Sequence, residues 1–268
     1  MSALSETFSR CRSENRSAFI PFITAGDPTL EQTREVVSRL VQSGADIIEI
    51  GFPYSDPLAD GPVIQASYTR ALASGTRLAG IFEAARQWTQ DHPTVTFLAM
   101  VSYSLVYRQN PEQFVQQAAA AGFQGLIIPD LPVEEAETLA PRAAAQQLAL
   151  IQLVTPTTPH ERARQIASSS TGFLYVVSVT GITGARTTLP TELTGQLQQL
   201  RQLTTLPLCI GFGISSASQA KLLAGVADGI IVGSALVRCL ENDKLWHEKL
   251  AALSQLASEL AAATRPPM

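Results

Sequence analysis

The sequence is poor in the groups that most often hold metals or form covalent intermediates. Its three histidines, His92, His160 and His247, lie far apart in helical or helix-end stretches, so neither a histidine-bound metal nor a Ser-His-Asp arrangement is expected. The three lysines, Lys221, Lys244 and Lys249, all come late in the chain and none ends a predicted strand. Schiff-base chemistry therefore has no candidate. Cys11, Cys209 and Cys239 are odd in number and widely spaced, which suggests neither a disulfide framework nor a paired-thiolate zinc site. No apolar run approaches the roughly 20 residues of a membrane span, and Met1 to Asn15 lacks the apolar centre of a signal peptide, so the expected location is cytoplasmic. There is no basic run, and the formal charge is −4, which argues against nucleic acid or an anionic membrane as the main partner.

What is present is apolar bulk in a regular beat. Hydrophobic residues make up 46% of the 268 positions and charged residues 16%, enough for a large buried core. Short apolar runs predict strands at Ala18 to Thr24, Asp46 to Ile50, Val95 to Met100, Gly125 to Ile128, Leu148 to Val154, Phe173 to Val177, Leu208 to Ile210 and Gly229 to Val232. Helical periodicity fills the gaps between them, from Glu31 to Ser43 through to the closing helix Lys244 to Ala262. Eight apolar strands alternating with helices over about 250 residues is the count and length of a (β/α)8 TIM barrel. The expectation is one such domain over residues 1–268, with an extra N-terminal helix. A doubly wound open sheet is the competitor, but the turn after the first strand, Thr24-Ala25-Gly26-Asp27-Pro28, is not a dinucleotide-binding loop.

With lysine and histidine set aside, acid–base work falls to carboxylates. Ile48 to Gly61 reads IEIGFPYSDPLADG and places Glu49 inside an apolar strand, where an ionised carboxylate is costly without a partner or a task. Asp60 lies on the following loop, which Pro53 and Pro57 stiffen. A structural alternative pairs Glu49 with a buried arginine and leaves the loop acids as solvated caps. A barrel carries its chemistry at the C-terminal ends of its strands, where Glu49 and its loop fall. Gly211-Phe212-Gly213-Ile214-Ser215 after the seventh strand and Gly233-Ser234 after the eighth match the usual phosphate-binding place of such barrels. The Gly- and Thr-rich loop Ser178 to Arg186 reads as a lid, with a plain surface loop as the alternative.

Five stretches in order, IEIGFPYSDPLADGPVIQ, PDLPVEE, SVTGITG, GFGIS and VGSALV, resemble the tryptophan synthase alpha subunit over nearly the whole chain. The resemblance implies a (β/α)8 barrel that cleaves indole-3-glycerol phosphate to indole and glyceraldehyde 3-phosphate. It implies no cofactor in this chain; pyridoxal phosphate is expected only in a beta subunit, which receives the indole within an alpha2beta2 complex. By the same resemblance Glu49 is the general acid–base, and Asp60 holds the indole N–H. Phe22, Ile64 and Tyr175 line the indole pocket, although aromatics at strand ends are also ordinary core. Gly181 to Gly184 close over the pocket, with Thr183 contacting Asp60 and both Thr183 and Gly184 touching substrate, and Gly211, Gly213, Gly233 and Ser234 take the phosphate. Asp56 and its neighbouring prolines face the beta subunit. One departure stands out: the family commonly carries Tyr and Asn two residues apart after the third strand, where this chain has Ser102 and Ser104.

Overall fold

Residues 18–24 (AFIPFIT) alternate nothing: all seven are buried, as a strand covered on both faces must be. They form β1 (Ala18–Thr24) of a parallel sheet that continues with β2 (Ile47–Gly51), β3 (Thr96–Met100), β4 (Gly125–Ile127), β5 (Ala149–Ile151), β6 (Leu153–Val154), β7 (Leu174–Val177), β8 (Leu208–Gly211) and β9 (Gly229–Val232). The computed structural model describes residues 2–58, 60–178, 189, 191–211, 213–241 and 243–265. Every ladder is parallel, and the order is β5-β4-β3-β2-β1-β9-β8-β7-β6.

The nine strands make eight staves. The single fifth strand expected from the sequence, Leu148 to Val154, is split at Gln152, whose amide donates to the Ser170 hydroxyl (3.1 Å) while its carbonyl accepts from the Tyr175 amide (3.0 Å). A side-chain oxygen thus interrupts the ladder at one residue. β5 pairs with β4 and β6 with β7, so chain continuity through Gln152 brings the ring round.

The core has two layers. Between staves and outer helices lies one large cluster, in which Phe52 touches the rings of Phe82, Phe114 and Phe123 at centroid distances of 5.6, 6.1 and 5.7 Å. Inside the ring, Ile20, Ile47, Leu98, Ile127, Ile151, Cys209 and Ile231 meet Leu4, Phe8 and Cys11 of the N-terminal helix Ala3–Ser13. That helix seals the bottom of the barrel. Asp46 latches the seal, accepting from Arg16 (2.6 and 2.8 Å), Arg10 (3.1 Å) and the Phe19 amide (3.0 Å).

Two helices depart from the sequence reading. Tyr103–Arg108 was not expected, since six residues carry too little periodicity to read; Ser102 caps it, accepting from the Ser104 amide (3.2 Å). Ser234–Glu241, expected only as a short turn, is an eight-residue helix.

Candidate active site

Residues Phe22 and Glu49 are direct partners on the neighbouring staves β1 and β2. Glu49 is 1% exposed, and neither carboxylate oxygen has a hydrogen-bond partner among the described residues. Among the described residues no arginine meets it, so none of them forms the buried ion pair of the structural alternative. Burial, and then the charge of Asp60, push its pKa up to about 8. At neutral pH the group is a carboxylic acid with a proton to give.

Asp60 belongs to the loop that follows β2. Phe52 starts this loop with its amide on the Met100 carbonyl (2.8 Å) and its ring in the outer core. Gln65, on the helix Pro62–Ala73, donates to the carbonyls of Pro57 (3.1 Å) and Asp60 (2.7 Å) and so fastens the far end. Proline at the start of that helix removes one of the first-turn amides that would otherwise need an acceptor, where Gly61 offers no side-chain cap. Burial and then the charge of Asp130 raise the Asp60 pKa to about 6, with the Tyr54 hydroxyl pulling it back. Asp130 is itself held at the rim, accepting from the Ser102 hydroxyl (2.7 Å) and the Tyr103 amide (2.8 Å). Ser102 and Ser104, the sequence departure, are 2.8 Å apart, hydroxyl to hydroxyl.

A cavity of about 320 Å3 opens between these groups. Of the residues expected in the site, it is lined by Phe22, Glu49, Asp60, Ile64, Tyr175, Gly213, Gly233 and Ser234. Phe22 and Ile64 give it an apolar wall, backed by the buried Tyr68. Gly213, with φ of +76°, takes a left-handed conformation that disfavours a side chain, and Ser234 opens the helix Ser234–Glu241. Gly211 does not line the cavity. A Cβ there would overlap the Tyr175 hydroxyl, so its missing side chain makes room for the tyrosine. Thr183 and Gly184, with Gly181 and most of the expected lid, lie outside the described residues.

Ser215, in the expected phosphate-binding stretch, also lines the cavity, whereas the sequence reading missed Met100 and Arg238. Arg238 follows Ser234 by four positions, a helical spacing that was available once the helix was known. Tyr54 and Asp130 were missed as electrostatic neighbours of Asp60, because their proximity comes from folding and not from spacing. Among the described residues no cluster of His, Cys, Asp and Glu fit to hold a metal is found, and no helix is long and apolar enough to cross a membrane.

The profile of the tryptophan synthase alpha chain family matches residues 8–265. A tryptophan synthase alpha chain of Rhodopirellula baltica is 51% identical over 89% of this chain and 86% of its own length. One of Gloeobacter violaceus is 45% identical over 98% and 95%. Among solved structures, Mycobacterium tuberculosis tryptophan synthase superposes with a TM-score of 0.90 at 35% identity, covering 99% of both chains. The alpha subunit of Legionella pneumophila does so with 0.89 at 34%, covering 98% of both. Matches of this extent, on a barrel with two carboxylates set in one cavity, show that the chain belongs to the tryptophan synthase alpha chain family, lyases that cleave indole-3-glycerol phosphate and pass indole to a beta subunit.

Proposed function

We propose that Glu49 and Asp60 divide the cleavage between them. Protonated Glu49 gives its proton to the indole ring carbon that bears the glycerol phosphate chain, and positive charge develops on the ring nitrogen. Asp60, ionised above about pH 6, accepts a hydrogen bond from the indole N–H and stabilises that charge. The Glu49 carboxylate then takes the proton of the side-chain hydroxyl. The carbon–carbon bond breaks, its electron pair restores the aromatic ring, and the hydroxyl carbon becomes the aldehyde of glyceraldehyde 3-phosphate. Glu49 ends as it began, protonated. The observation that carries this reading is the solitary Glu49, 1% exposed on the cavity wall and neutral up to about pH 8.

Phe22, Ile64 and Tyr175 flank the indole in this reading, and Gly213, Gly233 and Ser234 take the phosphate. The reaction needs no cofactor from this chain; pyridoxal phosphate belongs to the beta subunit. The partner face is the loop bearing Asp56 and Leu58 together with the helix Tyr103–Arg108, in an alpha2beta2 assembly in the cytoplasm. Leu58 is 92% exposed and Tyr107 70%, which is unusual for large apolar side chains at the mouth of a site.

Indole release from indole-3-glycerol phosphate, followed with and without a beta subunit, tests the roles. Glu49→Gln keeps shape and loses the proton carrier, so turnover is expected to fall by more than about a hundredfold with substrate still bound. Turnover within tenfold of the parent would remove Glu49 from the chemistry.

A further inference from the structure

Among the described residues that line the cavity, Arg238 is the one cation. It makes no ion pair and no hydrogen bond among the described residues, whereas Arg16, Arg70 and Arg201 are each committed to acids. Its position, four residues after Ser234 on the helix Ser234–Glu241, puts both on one face, and helical side chains lean toward the N-terminus. The guanidinium thereby borders the same part of the cavity as Gly213, Ser215, Gly233 and Ser234. Glu49 and Asp60 line the same cavity, with Asp130 close enough to act on Asp60. An anionic substrate entering this cavity meets two acids and one described cation, so its phosphate is favoured beside the cation and away from the acids.

We propose that Arg238 is a positioning residue that draws the phosphate of the substrate to the Ser234 end of the cavity and so sets the indole against Glu49 and Asp60. This rests on reading Gly213, Gly233 and Ser234 as the phosphate cradle. Because Arg238 is largely solvated, its effect is one of long-range attraction and orientation, and it belongs in KM and in the salt dependence of binding. The competing role is structural: a cation in the last turn of a helix favours the helix dipole, which requires no preference for anions.

The test uses the full chain and its Arg238→Gln and Arg238→Lys variants. Calorimetry gives Kd for glycerol 3-phosphate, inorganic phosphate and indole, and steady-state kinetics give kcat and KM for indole-3-glycerol phosphate at low and high salt. Arg238→Gln is expected to raise KM and both anion Kd values about fivefold to tenfold, with kcat and the indole Kd within about twofold. Salt should raise KM in the parent and have less effect in the variant, and Arg238→Lys should recover most of the loss. Anion Kd values within twofold of the parent would overturn the proposal, as would equal weakening for indole and for the anions. Gly213→Val separates this from the cradle itself. Anion binding lost in Gly213→Val and kept in Arg238→Gln would leave the cradle and reject the arginine. The reverse pattern would keep the arginine and move the cradle.

Discussion

The free energy of Glu49 is tied to its proton. Its ordinary value of 4.5 is raised to about 8, first by burial and then by Asp60, so folding takes up a proton throughout that interval. Stability from this group is complete below pH 4.5 and is lost as pH rises toward 8. At pH 7 the cost is of order 3 kcal/mol, since each tenfold change in proton affinity is worth about 1.4 kcal/mol. Glu49→Gln removes the titration, so the variant should be more stable than the parent by about 3 kcal/mol at pH 7 and of similar stability near pH 4. Denaturant unfolding at the two pH values checks this; equal stability at pH 7 would mean that Glu49 is solvated. Stability and turnover then move in opposite directions at one residue, as expected where a strained group is kept for its chemistry.

At the scale of elements, the acids depend on the segments that hold them. Phe52 pins the start of the Asp60 loop by packing among Phe82, Phe114 and Phe123, and Phe52→Ala should cost about 3 to 5 kcal/mol by leaving a cavity in that cluster. A loss below about 1 kcal/mol in denaturant unfolding would show that the cluster collapses around the gap. The rim offers a pH test. Asp60 faces Glu49, Asp130, Tyr54, Tyr68 and Tyr175, and of these the Asp130 charge is the nearest cause, after burial, of its raised pKa of about 6. The profile of kcat/KM should rise through about 6 as Asp60 ionises and fall through about 8 as Glu49 loses its proton. Asp130→Asn removes a charge that disfavours ionised Asp60, so the acidic limb should move to lower pH while the alkaline limb stays. An unmoved acidic limb would assign it to another group. Ser102 and Ser104 join this region through Asp130, so the departure from the usual family residues still gives the helix Tyr103–Arg108 a capped start.

Across the whole molecule, the two ends of the barrel do different work. The lower end is closed by the helix Ala3–Ser13 and latched by Asp46 and its arginines, a stable base with its charges paired. The upper end keeps an open cavity, a solitary acid and exposed Leu58 and Tyr107. An exposed apolar rim beside an active site is what a partner subunit would cover. Leu58→Asp should therefore weaken association with a beta subunit at least about tenfold, measured by sedimentation or titration calorimetry. Unchanged affinity would move the interface away from this loop.

Much of this architecture is written in local patterns. The fully apolar staves, the helical stripes and the proline-braced acidic loop are short-range features, and they place β1 and β9 at the boundaries expected from the residues alone. The sequence also singles out Glu49, because a glutamate in an apolar strand is anomalous wherever the strand goes. What it leaves open is everything that depends on neighbours distant in the chain. The split of the fifth stave follows from the Ser170 hydroxyl, the space at Gly211 from Tyr175, and the raised pKa of Asp60 from Asp130, 70 positions away. Likewise, only the folded helix Ser234–Glu241 turns Arg238 toward the cavity. Local sequence determines which segments become strands and helices and which face is apolar, since propensity and periodicity act over a few residues. Tertiary structure alone decides which charges meet and how far water is excluded from them, because both depend on distance in space.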